Sequence, residues 1–322
     1  MAITGHTGIP PFLNVFATPS VSIAATTEAP YCSGADVTFN ATIVAPALQY
    51  LNTYYFTING ITASGKVLTM TTNSLVDGDV VRFVMVHKNG SVYYSNSIVA
   101  AVELCINYGL LYNWYAATDE RNITSGDTWT IPFNTDFDTL ITYLGGYLIA
   151  GGKLKEIGFI NWDSPNTGAT NQFNFSAKGA GIRDYYNFIG LLKYGFFWSR
   201  SQYSTWVYGY HLAQDASHFS YNLDEKYFGF SLRLVRPAVE SEQILPDGTY
   251  CTPYVGNDGK SYRTVKIGTQ VWTAENLAET KFRNGNYLHG YEGGSYQAIS
   301  NANWAALTTE GVCCYNDDIN LI

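Results

Sequence analysis

Tyr108-Gly109-Leu110-Leu111-Tyr112-Asn113-Trp114-Tyr115-Ala116 is the stretch on which the reading of this chain turns. Three further stretches of low degeneracy follow it: Gly151-Gly152-Lys153-Leu154-Lys155-Glu156, Trp162-Asp163-Ser164-Pro165-Asn166-Thr167-Gly168-Ala169-Thr170-Asn171 and Gly229-Phe230-Ser231-Leu232-Arg233. A second group stands near the C-terminus. It runs Asp258-Gly259-Lys260-Ser261-Tyr262, then Thr264-Val265-Lys266-Ile267-Gly268-Thr269-Gln270-Val271-Trp272, then Ala274-Glu275-Asn276-Leu277. Within the first group, Phe137, Leu140, Ile141 and Leu144 recur at helical spacing. Asn134 or Thr135 can cap that helix and Gly145 can end it. Asn301 to Leu307 reads as a second, short helix, and nearly everything else as strand and loop.

Taken together, these motifs resemble the FISUMP (Fibrobacter succinogenes major paralogous) domain, a family related to the C-type-lectin-like fold. Residues 107–237 resemble the family's closing half and 255–322 its opening half, so the halves stand in reverse. In the family, the YNWYA motif follows shortly after a stretch that is found here as Cys313-Cys314-Tyr315-Asn316-Asp317-Asp318. The resemblance implies a circularly permuted lectin-like domain over 103–322, its halves joined by a linker at 238–254. Domains with adjacent termini tolerate such rewiring. The rival is exchange, in which 255–322 completes a neighbouring subunit and locks an oligomer. A truncated second copy is the third alternative, but it leaves apolar strands unpaired.

Upstream, residues 20–102 show short alternating runs separated by turn residues, the pattern of an antiparallel sandwich. Expected strands are Val21 to Ala25, Asp36 to Val44, Tyr54 to Ile58, Val67 to Thr72, Val80 to Val86 and Val92 to Val99. Asn59-Gly60 and Asp77-Gly78-Asp79 supply turns. The segment resembles immunoglobulin-like repeats of Bacteroidetes surface proteins, which implies a stalk or spacer. The expected fold class is therefore mainly β, α+β in part: an immunoglobulin-like sandwich followed by the permuted lectin-like domain. Residues 1–19 form an apolar, proline-stiffened arm around Ile9-Pro10-Pro11-Phe12, expected to dock on a partner or on other copies of the chain.

Composition narrows the function classes. With 322 residues the chain can hold two or three domains, and a formal charge of −8 argues against a nucleic-acid groove. Met1 to Pro11 lacks a basic region followed by an apolar run, so no secretory signal is expected, and no stretch approaches the ~18 apolar residues of a membrane helix. Five cysteines, Cys32, Cys105, Cys251, Cys313 and Cys314, form no CxxC pair and are expected reduced. The resemblance adds that the family's second cysteine precedes a motif found here as Gly126-Asp127-Thr128-Trp129-Thr130-Ile131-Pro132. That segment has no cysteine, so the family's usual bridge is not expected.

Recognition chemistry concentrates between Tyr194 and Tyr227, where aromatic residues alternate with small polar ones. Tyr and Trp offer large rigid contact area, while Ser, Asn and Gln supply adaptable hydrogen bonds. In lectin-like folds the matching segment carries the ligand surface. The expected ligand-binding set is Arg200, Ser201, Gln202, Tyr203, Ser204, Trp206, Tyr208, Tyr210, Asp215, His218, Tyr221 and Asn222. Trp198, Phe228, Phe230 and Leu232 are assigned to packing. Asp163 and Asn166 are too few oxygens for calcium, and no metal or other cofactor is expected.

Formylglycine-generating enzymes share the broad fold but use paired cysteines in a groove, which the adjacent Cys313 and Cys314 do not match. No HExxH or GxSxG is present, and fold kinship does not license a reaction. The chain is read as non-enzymatic: a virion surface protein of a phage of Bacteroidetes, made in the host cytoplasm. It is expected to be a homo-oligomer, a trimer by preference, attached to other virion proteins through the arm. Its partner is a host or mucosal glycan or a host surface protein, with no nucleic acid and no membrane insertion. The alternatives are a purely structural capsid decoration or fibre protein and a bacterial cell-surface adhesin.

Overall fold

Strand outweighs helix, 39% against 14%, which makes the protein mainly β. The structure is a computed structural model that describes residues 20–25, 31–32, 37–45, 51–72, 80–88, 91–99, 102–103 and 107–322. The expected arm at 1–19 and the Asp77-Gly78-Asp79 turn lie outside the described residues. The chain divides into two compact units, Met1–Cys105 and Ile106–Ile322. Among the described residues no helix is long and apolar enough to cross a membrane.

The first unit contains two antiparallel sheets. Strands β1 (Ser20–Ala25), β2 (Val37–Ala45) and β4 (Thr69–Thr72) form one, in the order β1-β2-β4. Strands β3 (Leu51–Ile58), β5 (Val80–His87) and β6 (Val92–Tyr94) form the other, with Ile61–Thr62 on its β3 side and Ile98–Val99 pairing with β5. Alternation explains the core, because Val81, Phe83 and Met85 point inward from β5 to meet Phe39, Phe56 and Met70. Asn59 and Gly60 both take positive φ, 51° and 80°, and close the turn between Ile58 and Ile61.

In the second unit the segments 107–237 and 255–322 pack into one body of this chain. Strand β7 (Leu111–Tyr112) is followed by helices α1 (Trp114–Thr118), α2 (Asn134–Tyr143) and α3 (Tyr147–Leu154). A five-stranded sheet follows, built from β8 (Ala180–Arg183), β9 (Phe188–Leu191), β10 (Tyr194–Tyr203), β11 (Trp206–Ala213) and β12 (Ser220–Asp224) in the order β9-β8-β10-β11-β12. Strand β13 (Val235–Pro237) then enters a second sheet with β14 (Tyr250–Val255), β15 (Ser261–Ile267) and β16 (Gln270–Thr273), ordered β13-β16-β15-β14. Helix α5 (Asn301–Ala305) and strand β17 (Val312–Cys313) close the chain. The expected linker is not a free tether: it carries the short helix α4 (Glu240–Gln243) and most of β14.

Hydrogen bonds sew the segments together. Leu111 pairs with Cys313 and Val235 with Trp272. Leu110 N donates to Leu277 O at 2.8 Å, Leu277 N to Leu232 O at 3.0 Å, and Tyr108 N to Leu321 O at 2.8 Å. The two larger cores of the unit draw on both segments. One gathers Tyr112, Trp198, Phe230 and Leu232 with Tyr262, Leu277, Phe282 and Val312; the other gathers Phe137, Phe175, Phe197 and Tyr210 with Val265, Ile267 and Trp272. Gly109 is required at the seam, because a Cβ there would stand 2.7 Å from both Asn276 Cβ and Leu277 O.

Two local details depart from the sequence reading. The capping of α2 rests on neither Asn134 nor Thr135: Phe133 is the N-cap, and the Asp136 carboxylate accepts from Phe133 N at 2.8 Å. Asn134 is occupied instead with Ser201, whose hydroxyl lies 2.9 Å from its Oδ1. Helix α3 stands where the sequence reads as strand and loop, and it contains Gly151-Gly152. Those glycines serve backbone approach, since a Cβ on Gly151 would lie 2.2 Å from His218 O and one on Gly152 2.3 Å from Gly168 O.

Candidate functional site

The hairpin β10–β11 and the edge strand β12 carry most of the expected ligand set. Opposed pairs Tyr203↔Trp206, Tyr208↔Leu223 and Tyr210↔Tyr221 share one side of the sheet. Tyr203, Trp206, Tyr221 and Leu223 are exposed there, at 62%, 43%, 51% and 39%, and Tyr208 is half-buried beside them. The Tyr208 and Tyr221 rings meet edge-on at 5.0 Å. Much of the opposite side of the same strands is core, where Trp198 stacks on Phe230 at 4.0 Å and Val207 is fully buried. A rigid, layered support therefore holds an aromatic surface open to solvent.

Tyr210 does not belong to that surface. It follows Trp206 and Tyr208 on the same side of β11, but α2 lies over it, and its ring stacks on Phe137 at 4.1 Å with no exposure. Its hydroxyl lies 3.1 Å from Asp138 Oδ1, and burial first and that carboxylate second push its pKa well up. Alternation places a side chain on a face; it does not say how far along the strand a helix covers that face.

The rest of the expected set is divided. Ser201 is half-buried and bonded to Asn134 N at 3.0 Å. Ser204 sits in the hairpin turn with φ 57°. Gln202 and Asn222 are exposed on the opposite side of the sheet, where Lys226 Nζ donates to Gln202 Oε1 at 3.0 Å. Asp215 and His218 lie in the loop after β11, at the far end of an eight-residue strand, ~25 Å from the hairpin turn at about 3.3 Å per residue. Those two are not brought to the aromatic surface.

Arg200 occupies an irregularity. Trp198 pairs with Gly209 but Gln202 with Val207, so β10 carries two extra residues between them. The bulged backbone bonds outward: Arg200 N donates to Pro132 O at 2.9 Å, and Trp114 Nε1 donates to Ser199 O at 3.0 Å. Leu223 was missed by the sequence reading, although its spacing of two from Tyr221 in an alternating strand was the signal for it.

Asp224 was also passed over. Its Oδ2 is buried without a hydrogen-bond partner, close against Gly209 and Phe230. Burial, aided by Glu225, raises its pKa to about 7. In the unfolded chain this carboxyl releases its proton near 3.8, so between that pH and about 7 the unfolded state binds fewer protons and stability falls as pH rises. Asp224→Asn is expected to raise the melting temperature at pH 8 and to leave it unchanged at pH 4. Equal gains at both pH values would refute this account.

The cysteine chemistry is quiet. Cys313 and Cys314 are buried, and burial lifts their thiols to about 12 and about 11, so neither supplies a thiolate at neutral pH. In the Trp162–Gly168 loop, Asn166 Nδ2 donates to Glu156 O at 2.9 Å and Gly158 O at 2.8 Å, which commits that side chain to holding the loop.

The family model of the Fibrobacter succinogenes major domain matches residues 65–236. That span contains the segment read above as the family's closing half and reaches back into the first unit. No curated protein and no solved structure matches the chain.

Proposed function

Because the chain belongs to the Fibrobacter succinogenes major domain family, we propose that its second unit is a non-enzymatic, lectin-like module that binds host or mucosal glycans. The observation that carries this reading is the aromatic surface of Tyr203, Trp206, Tyr208 and Tyr221 on a sheet whose other side packs Trp198 and Val207 into the core. Sugar rings present C–H faces that stack on such aromatics, and Ser204, exposed in the hairpin turn beside them, supplies a hydroxyl for hydrogen bonding. On this reading the inverted motif order is a circular permutation. The bond from Tyr108 N to Leu321 O supports it by bringing the ends of the unit together.

The first unit then serves as an immunoglobulin-like stalk. The setting is an externally displayed protein such as a phage virion surface protein, where trimeric copies gain avidity from several weak sites. Trp206→Ala combined with Tyr203→Ala is expected to weaken the strongest glycan-array signals by about tenfold or more, the scale of aromatic hot spots. An unchanged array profile from a normally folded variant removes this surface from the function.

A further inference from the structure

Beside the aromatic surface, residues of both transposed segments close a polar cleft of about 160 Å3. Its walls include Asn122, Thr124, Trp129, Thr130, Arg200 and Arg283. Arg200 comes from the β10 bulge, within ~10 Å of Tyr203 along the strand at about 3.3 Å per residue. We infer that this cleft takes the carboxylate of an acidic sugar, which makes the preferred ligand an acidic glycan. The inference rests on the glycan-binding reading above and names the ligand class within it.

Three observations carry it. First, two guanidiniums and one carboxylate, Asp127, line a small cleft in a protein of formal charge −8, so the local balance is positive where the global one is negative. Second, Arg283 is already held in a carboxylate-receiving pose. Its Nε donates to Thr124 O at 3.0 Å, its Nη2 to Gly126 O, and its Nη1 to Asp127 Oδ1 at 2.7 Å. The Asp127 side chain is 92% exposed, and an ion pair so open to water contributes little and exchanges readily. Asp127 thus stands where a ligand carboxylate can replace it. Third, Arg200 is exposed and lies over the Phe133 ring at 5.1 Å, with Nη1 donating to Thr130 Oγ1 at 3.2 Å. Both of those partners are neutral, so the planar fork keeps donors for a second oxyanion contact. Trp129, half-buried in the same wall, is held by the Arg236 guanidinium over its ring at 5.0 Å and by the Tyr254 ring at 5.5 Å, so its indole is a fixed reporter beside the cleft.

The test titrates the full-length protein with sodium glucuronate, glucose and sodium sulfate in turn, following the Trp129 indole N–H resonance. Glucuronate is expected to shift that resonance saturably in the millimolar range, and glucose not to shift it. Arg200→Gln should weaken glucuronate about tenfold, and Asp127→Asn, which removes the internal competitor, should tighten it about threefold. Equal responses to glucose and glucuronate, or an unchanged affinity in Arg200→Gln, overturn the inference. So does sulfate reproducing the glucuronate affinity, since the site would then hold a small anion without the sugar. Because the monosaccharide reports on the cleft alone, the titration fails independently of the Trp206 and Tyr203 experiment.

Discussion

Arg233→Met is expected to destabilise the second unit by about 3–5 kcal/mol, the cost of leaving several buried acceptors without their donor. Arg233 is 1% exposed and sends its donors to four acceptors: Asn276 Oδ1 at 2.7 Å, Thr273 O at 2.7 Å, Phe175 O at 2.8 Å and Ser176 O at 3.0 Å. Its guanidinium lies over the rings of Phe175 and Phe197 at 4.6 and 5.7 Å. Burial lowers its pKa to about 9, which still leaves it charged at neutral pH. Methionine keeps the apolar packing between the rings but leaves all four oxygens without their donor, and each stranded acceptor costs about 1–3 kcal/mol before relaxation. Two of the acceptors belong to the 255–322 segment, so the substitution weakens the seam itself. Urea unfolding followed by tryptophan fluorescence measures the effect. A loss below about 1 kcal/mol would mean that water reaches the abandoned carbonyls. Lysine should fall between the two, since one ammonium cannot reach four divergent acceptors.

Trp272→Ala is expected to cost about 3–5 kcal/mol as well, through a cavity rather than stranded acceptors. The indole is fully buried on β16, yet its ring neighbours come from the other segment: Phe137 at 5.3 Å and Phe175 at 5.8 Å. Phe137 in turn covers Tyr210. Removing the indole therefore loosens α2 and β11 together with β15 and β16. Hydrogen exchange should show protection lost in both segments at once, as for one cooperative unit. Loss confined to 255–322 would show that the two segments unfold separately, and the expectation would be wrong.

Local physics made several elements readable from sequence. In the first unit, period-two alternation and the Asn59-Gly60 turn located the strands to within a few residues, because a half-buried strand writes its face directly into the sequence. In the second, the 3.6-residue spacing of Phe137, Leu140 and Leu144 located α2. Helix α3 escaped, since glycine lowers helix propensity and only the neighbouring backbones of His218 and Gly168 reveal why Gly151 and Gly152 stand there. The candidate site was half legible for the same reason. Aromatic enrichment marked the segment from Tyr203 to Tyr221, but nothing local distinguishes Tyr208 from Tyr210.

By itself, then, the sequence determined the strand faces and the principal helix, both of which follow from spacing along the chain. The tertiary structure decided three other matters. It placed α2 over Tyr210 and left Trp206 open, it brought Leu321 to Tyr108, and it set Arg283 across a cleft from Arg200. Each is a contact between residues far apart in sequence. Its existence depends on which backbones can approach and which buried donors find acceptors, quantities that no single segment carries.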